Sequence, residues 1–348
     1  MKIQTYSSTI RRREMDAVLT CMVEEKTGPG ELNARLVSYA KEFFGFSGAV
    51  ALRSPALALK YALKAMAIPA GEKIMISALA PDWQYQALLD AGYVPLVLDV
   101  DETTLLVTAD IVSEGAKQGG RVLVLHETSG FLPEFEKIIE LGIPFIEDIS
   151  QSAGAVYNEK KAGSFGVFAI LGLEQNDLLT AGGGAVLMAA ASRDWSALRG
   201  LANDAPSTDC LPDINAALGY IQLKELPRNE AVRREMREMY CRSVLQGKHK
   251  CVVQLGENVQ NAVYSFPVVL SGSVKDVKAY VGKKDIEIAA AFEDSVSARR
   301  NNEECTDESV KSCKKANSIA LRCVNFPLYP RLGNTQAAKI AKVLSTLP

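Results

Sequence analysis

Between residues 49 and 190 short apolar runs alternate with stretches whose apolar residues recur every three or four positions. Residues 49–52 are the first such run. Leu57, Leu59, Tyr61, Leu63 and Met66 then give residues 55–67 a helical spacing. The alternation continues with strands expected at 73–76, 94–100, 121–126, 144–146, 167–173 and 184–188, and helices at 83–91 and 133–141. Val122-Leu123-Val124-Leu125 has no polar break, as in a strand buried on both faces. Strands alternating with helices imply parallel βαβ units, so the expected class is α/β with a mostly parallel sheet.

Near Pro212 the pattern changes. Residues 212–245 read as one long amphipathic helix rich in Arg and Glu. Beyond it come strands near 252–255, 264–270 and 287–291, a helix at 274–281 and a last helix at 334–344. Residues 297–309 are polar and charged and read as a loop. The expected division is a large α/β domain over residues 1–235 and a smaller α+β domain over 236–348.

Composition narrows the function classes. The 348 residues suffice for two or three domains. Lys+Arg is 39 against Asp+Glu 41, so there is no basic excess on which to build a nucleic-acid footprint. No apolar run reaches the roughly 20 residues of a membrane span, and the N-terminal stretch with Arg11, Arg12 and Arg13 shows no signal-peptide core. Seven cysteines without a C-x-x-C pair and only two histidines argue against a disulfide framework and against a metal site. A cytoplasmic protein without nucleic-acid or membrane partners is expected.

In open α/β sheets ligands bind beyond the carboxyl ends of the strands, so the residues just after each strand are the candidates. Ser54 with Pro55 reads as a helix cap, and the same helix start is a phosphate-binding geometry. Asp148 follows an apolar strand; a buried carboxylate there needs a partner, either a ligand cation or a protein donor. Gly182-Gly183-Gly184 is a tight turn or a place where a ligand approaches the backbone. His126 is either a packed strand-end residue or a cleft contact. Arg233, Arg234 and Arg237 read as exposed helix charges paired with Glu230, Glu235 and Glu238.

Six segments, AIPAGEKIMIS, LLDAGYVPLVLDVD, GIPFIEDISQSAGAVYNEKKAGSFG, LTAGGGAV, DINAALGYIQLKEL and NFPLYPRL, together resemble the DegT/DnrJ/StrS family of sugar aminotransferases. The resemblance runs from about residue 28 to the C-terminus. It implies the fold type I architecture of enzymes that use pyridoxal phosphate (PLP) or its amine form (PMP), and a homodimer. By the same resemblance Asp148 matches the carboxylate that pairs with the pyridinium nitrogen, and Gln151 matches the amide near the ring's phenolic oxygen. Ser54 and Ala56 match the phosphate cradle at the first helix, where the family has Ser-Gly-Thr. Gly172 matches a phosphate-binding serine. The stacking aromatic falls at Pro81, with Trp83 two positions on. Asp209 matches a partner-subunit asparagine near the phosphate. His126 and Glu174 fall in the substrate cleft.

The Schiff-base lysine of the family aligns with Asn176, and no lysine occurs between residues 162 and 223. An asparagine cannot form an imine or act as a base near neutral pH. The expectation is a catalytically degenerate family member that binds a small molecule, such as a nucleotide sugar, or serves as partner subunit to an active homologue. Two alternatives stand beside it. One is an active aminotransferase drawing its lysine from elsewhere, Lys160 and Lys161 being nearest in sequence. The other is a dehydratase using non-covalent PMP, with Glu174 or Asp177 as base.

Overall fold

The computed structural model describes residues 2–245, 247, 249–252, 256, 258–302 and 304–348. Helices α1 (Arg12–Val23) and α2 (Glu31–Phe44) precede β1 (Gly48–Leu52) and α3 (Pro55–Ala65). Then come β2 (Lys73–Ser77), α4 (Asp82–Asp90), β3 (Val94–Leu98), α5 (Ala109–Lys117), β4 (Gly120–His126), α6 (Phe135–Ile139) and β5 (Phe145–Asp148). A short excursion through β6 (Val156–Tyr157) and β7 (Lys160–Lys161) leads to β8 (Phe168–Gly172), β9 (Ala185–Ala189) and α7 (Ser192–Asn203). The long α8 (Asp213–Val244) follows. Past it lie β10 (Lys250–Cys251), β11 (Val259–Gln260), β12 (Phe266–Val269), α9 (Val274–Gly282) and β13 (Ala289–Ala290). The chain closes with α10 (Val296–Arg300), α11 (Glu308–Ser312), α12 (Lys314–Arg322), β14 (Cys323–Phe326) and α13 (Asn334–Leu344).

Seven strands form one sheet in the order β1-β9-β8-β5-β4-β2-β3. The β2–β3, β2–β4, β4–β5 and β5–β8 pairs are parallel. Strand β9 runs against both neighbours, β8 and β1. No helix separates β8 from β9, so this pair departs from the βαβ rule, and the chain returns through Gly182, Gly183 and Gly184, all at positive φ. Helices flank the sheet and seal its apolar strands; Val122, Val124, Phe168 and Ile170 are all at most 1% exposed. A second sheet, β10-β12-β14-β13, is antiparallel.

Each sheet has its own apolar cluster. Leu223 and Leu226 of α8 pack into the cluster of the large sheet, whereas Met236, Tyr240 and Val244 of the same helix pack into that of the small one. Ile3 joins the second cluster through a bridge to Ile286.

Several expectations shift. The helix at 133–141 contracts to α6, and the strand at 287–291 to the two residues of β13. Of the strand expected at 252–255, residues 253–255 lie outside the described residues; β10 pairs with β12 just before it. The charged run at 297–309 is not a plain loop. It overlaps α10 and the start of α11, capped by Ser295 Oγ accepting from Ala298 N (3.2 Å) and by the Asp307 carboxylate accepting from Ser309 N (2.9 Å). Buried Val296 and Val310 anchor them, and Arg300 grips Asp82 on α4 with two hydrogen bonds, 2.6 and 2.8 Å. Two apolar anchors among so many charges leave little periodicity to read.

Candidate functional site

Three neighbouring parallel strands, β4, β5 and β8, end in His126, Asp148 and Gly172. Asp148 is wholly buried. Its Oδ2 accepts from Gln84 Nε2 on α4 (2.7 Å) and faces His126 Nδ1 (2.9 Å). Its Oδ1 accepts from Ser150 N (3.1 Å) and from Ser150 Oγ. Burial pushes this carboxyl upward, but the hydrogen bond and charge of His126, with the Ser150 donors, outweigh it and hold Asp148 below its usual range. A carboxylate offers about four lone-pair sites, and here four protein donors meet them. The partner left open by the sequence is thus a set of protein donors.

Above this network opens a cavity of about 530 Å³. Its floor carries Gln151, whose Oε1 accepts from Ser129 N (2.6 Å). One wall is Pro81, Asp82 and Trp83 at the start of α4. Opposite lie Glu174, Gln175, Asn176 and Asp177 of the β8–β9 connection, and residues 290–295 close the side. That last segment is sewn to α4 by Asp82 N donating to Asp294 O (2.8 Å) and Val296 N to Ala80 O (2.9 Å). Asn176 is exposed, and its carbonyl accepts from Tyr264 hydroxyl (2.8 Å).

Of the residues singled out from the sequence, Trp83, Gln151, Glu174 and Asn176 therefore meet at one cavity. His126 and Asp148 lie beneath it, 2% and 0% exposed. Ser54, Ala56 and Gly172 are not on its wall. Ser54 Oγ accepts from Leu57 N (3.1 Å) and caps α3, and Pro55 contributes no N–H at that helix start. The Asp209 carboxylate accepts from Tyr61 hydroxyl (2.8 Å), and residues 209–211 pair along β1 of the same chain. A Cβ at Gly172 would collide with Asp177 Oδ2 and lie 2.6 Å from Ser150 Oγ.

Asp177 supplies chemistry of its own. Its Oδ2 accepts from Glu174 N (2.8 Å). Burial, with the charges of Asp148 and Glu174 added, pushes its carboxyl up to about 8. Below the sheet ends, Glu127 and Glu147 are both 0% exposed. Glu147 accepts from Gly163 N (2.7 Å), Phe165 N (2.7 Å) and Gly166 N. Burial first, and the Glu147 charge second, push Glu127 well above the carboxylate range.

Gln84, Asp177 and Glu127 do not stand out in the linear sequence. Gln84 shares α4 with Asp82, Gln86 and Asp90, and nothing in the helix sequence separates it from those polar neighbours. Arg233 is a correction: it is 7% exposed, and its Nε has no hydrogen-bond partner, while Glu230 pairs with Arg234 (3.1 Å). The 3.6-residue period shows which residues share a face of α8 but not that two cores wrap the helix on several sides. No cluster of metal-ligating side chains occurs, and no helix is long and apolar enough to cross a membrane, among the described residues.

Known proteins share this architecture. An aminotransferase from Psychrobacter cryohalolentis superimposes with a TM-score of 0.87 over 97% of either chain, at 18% identity. The E. coli GDP-4-keto-6-deoxy-D-mannose-3-dehydratase with bound hydrated PLP does so with a TM-score of 0.85 over 99% of either chain, at 17% identity. The L-glutamine:2-deoxy-scyllo-inosose aminotransferase of Streptomyces lividus is 26% identical over 233 residues, 60% of this chain and 55% of that protein. The matched stretch spans about half the length of the curated relatives. The family profile itself matches residues 8–345, nearly the whole chain, and the chain belongs to the DegT/DnrJ/EryC1/StrS aminotransferase family.

Proposed function

We propose that this chain is a catalytically degenerate member of its family, which binds a small molecule in the cavity beside Asn176 and does not transaminate. The observation that carries the reading is that no lysine is among the described residues lining that cavity. Of the two lysines nearest in sequence, Lys161 is engaged elsewhere: it donates to Phe43 O and lies over the Phe43 ring, 4.0 Å from its centroid. The cofactor contacts argue the same way. Asp148 has no lone pair left for a pyridinium nitrogen, Asp177 takes the space of a side chain at position 172, and Pro55 removes a donor from the start of α3. These residues do not fit PLP, and we derive no step through it.

Incubation with PLP, borohydride reduction and peptide mapping test this reading. No lysine-linked pyridoxyl adduct within the cavity is expected, and such an adduct overturns it. Asp177 favours a second reading, a dehydratase with non-covalent PMP, because a carboxyl near 8 beside the cavity is suited to proton transfer. It requires Gln84 to release Asp148. PMP-dependent loss of water from a keto nucleotide sugar, abolished in Asp177→Asn, would establish it.

The same proposal includes a homodimer, a cytoplasmic location and a domain division at 235/236. Met15, Leu19 and Met22, at helical spacing on α1, are each more than half exposed and form an apolar stripe suited to a second copy. All seven cysteines are unpaired, as in a reducing compartment. The division falls where α8 passes from one apolar cluster to the other.

A further inference from the structure

We propose that Cys241 and Cys251 form a reversible redox pair, two neighbouring thiols that hydrogen peroxide converts to an intramolecular disulfide. Cys241 lies in the last turns of α8, and Cys251 ends β10, an edge strand of the small sheet. The register with β12 sets Cys251 opposite Val268, and β10 packs on α8. Both cysteines lie against the apolar cluster that holds Tyr240 and Val244, and their thiols are joined by a hydrogen bond. The chain turns back between helix and strand, and that turn brings the two sulfurs together.

A thiol sealed in apolar surroundings is inert, and three of the other cysteines are of that kind. Cys21, Cys313 and Cys323 are buried, and burial pushes Cys313 and Cys323 up to about 12. The pair on α8 and β10 differs in two ways. Both members are only partly buried, so a small oxidant reaches them. The hydrogen bond from Cys251, with the Arg237 charge behind it, also draws Cys241 down to about 7, against burial and the Glu238 charge. The same hydrogen bond, then burial, raises Cys251. Cys241 is therefore the attacking thiolate and Cys251 the resolving thiol.

The chemistry balances with hydrogen peroxide as the oxidant. The Cys241 thiolate attacks one peroxide oxygen, the O–O bond breaks, and hydroxide leaves, so that Cys241 becomes a sulfenic acid. The Cys251 sulfur then attacks the Cys241 sulfur. An S–S bond forms, the S–O bond breaks, and the hydroxyl departs with the Cys251 proton as water. The two thiols lose two electrons and two protons, and the peroxide is reduced to water. A dithiol reductant reverses the step by exchange. The bridge ties the edge of the small sheet to the helix that both apolar clusters share. It is independent of what the main cavity binds.

Peroxide treatment of the reduced full chain, followed by alkylation and peptide mapping, tests the proposal. Two of the seven thiols should escape alkylation, in one linked pair of peptides carrying Cys241 and Cys251, and dithiothreitol should restore both. In Cys251→Ser the oxidation should stop at Cys241, where dimedone labels the sulfenic acid. In Cys241→Ser both the link and the label should vanish, and Cys251 should stay open to alkylation. The proposal is overturned if both thiols of the parent remain alkylatable after peroxide. It also fails if either one pairs with a different cysteine or with a second chain, if dimedone leaves Cys241 unlabelled in Cys251→Ser, or if Cys251 is oxidised in Cys241→Ser as fast as in the parent.

Discussion

The Asp177 carboxylate fills the space that a side chain at Gly172 would need. A Cβ at position 172 would collide with Asp177 Oδ2 and approach Ser150 Oγ to 2.6 Å. Gly172→Ser should therefore cost about 1–3 kcal/mol, the usual penalty of overpacking, in urea unfolding. Asp177→Ala in the same chain should return part of that loss, because the two side chains compete for one volume. Strictly additive costs would show that they do not.

Asp177 also makes stability depend on pH. Its carboxyl rises from the ordinary 3.8 to about 8 in the folded protein, because burial and then the neighbouring carboxylates disfavour its charge. Between those values the folded chain holds a proton that the unfolded chain has released. Asp177 thus lowers stability progressively from about pH 4 to pH 8, and its effect is level above that. Asp177→Asn should gain on the parent across this window in urea melts at a series of pH values. Parallel curves for parent and variant would refute the assignment.

Glu127 and Glu147 are both buried carboxyls, yet their replacement should have opposite effects. Glu127 is kept neutral by burial and by the charge of Glu147, so Glu127→Gln should leave stability nearly unchanged below about pH 4.5 and raise it increasingly above that, where unfolding releases the proton that the folded parent holds. Glu147 holds the 163–166 turn through three backbone N–H groups. Hydrogen bonds to a charged group are worth about 1.5–3 kcal/mol each, so Glu147→Gln should cost about 3 kcal/mol or more at neutral pH. Thermal melts of both variants at pH 6 and pH 9 check the contrast.

The α1 stripe predicts the oligomer. A pair of substitutions, Met15→Glu and Leu19→Glu, places charge on an exposed face and should leave the fold intact, since both residues are more than half exposed. If the stripe is covered by a second copy, light scattering should show the mass fall from about twice 37.6 kDa to 37.6 kDa. A parent that is already 37.6 kDa would remove the proposal.

Much of the large sheet was legible because its strands are buried on both faces and read as unbroken apolar runs; residues 121–126 became β4 with one residue added. The ends of that sheet were legible too, but it was the resemblance to a known family that singled out Trp83, Gln151, Glu174 and Asn176 before the cavity that joins them. What escaped were contacts between elements distant in sequence. Gln84 reaches Asp148 across 64 positions, and nothing in its own helix announces the partner. Arg233 follows an acid-base spacing that usually means solvent, but its surroundings come from Tyr6, Tyr264 and Tyr329 on three other segments. The charged run at 297–309 misled because two valines suffice to dock two short helices.

Helix α8, 32 residues and about 48 Å long, lends Leu223 and Leu226 to one apolar cluster and Met236, Tyr240 and Val244 to the other. A shared beam of this kind leaves no seam along which the two halves could part. Melting either half frays a rod on which the other depends, so heat should undo the whole molecule in a single step.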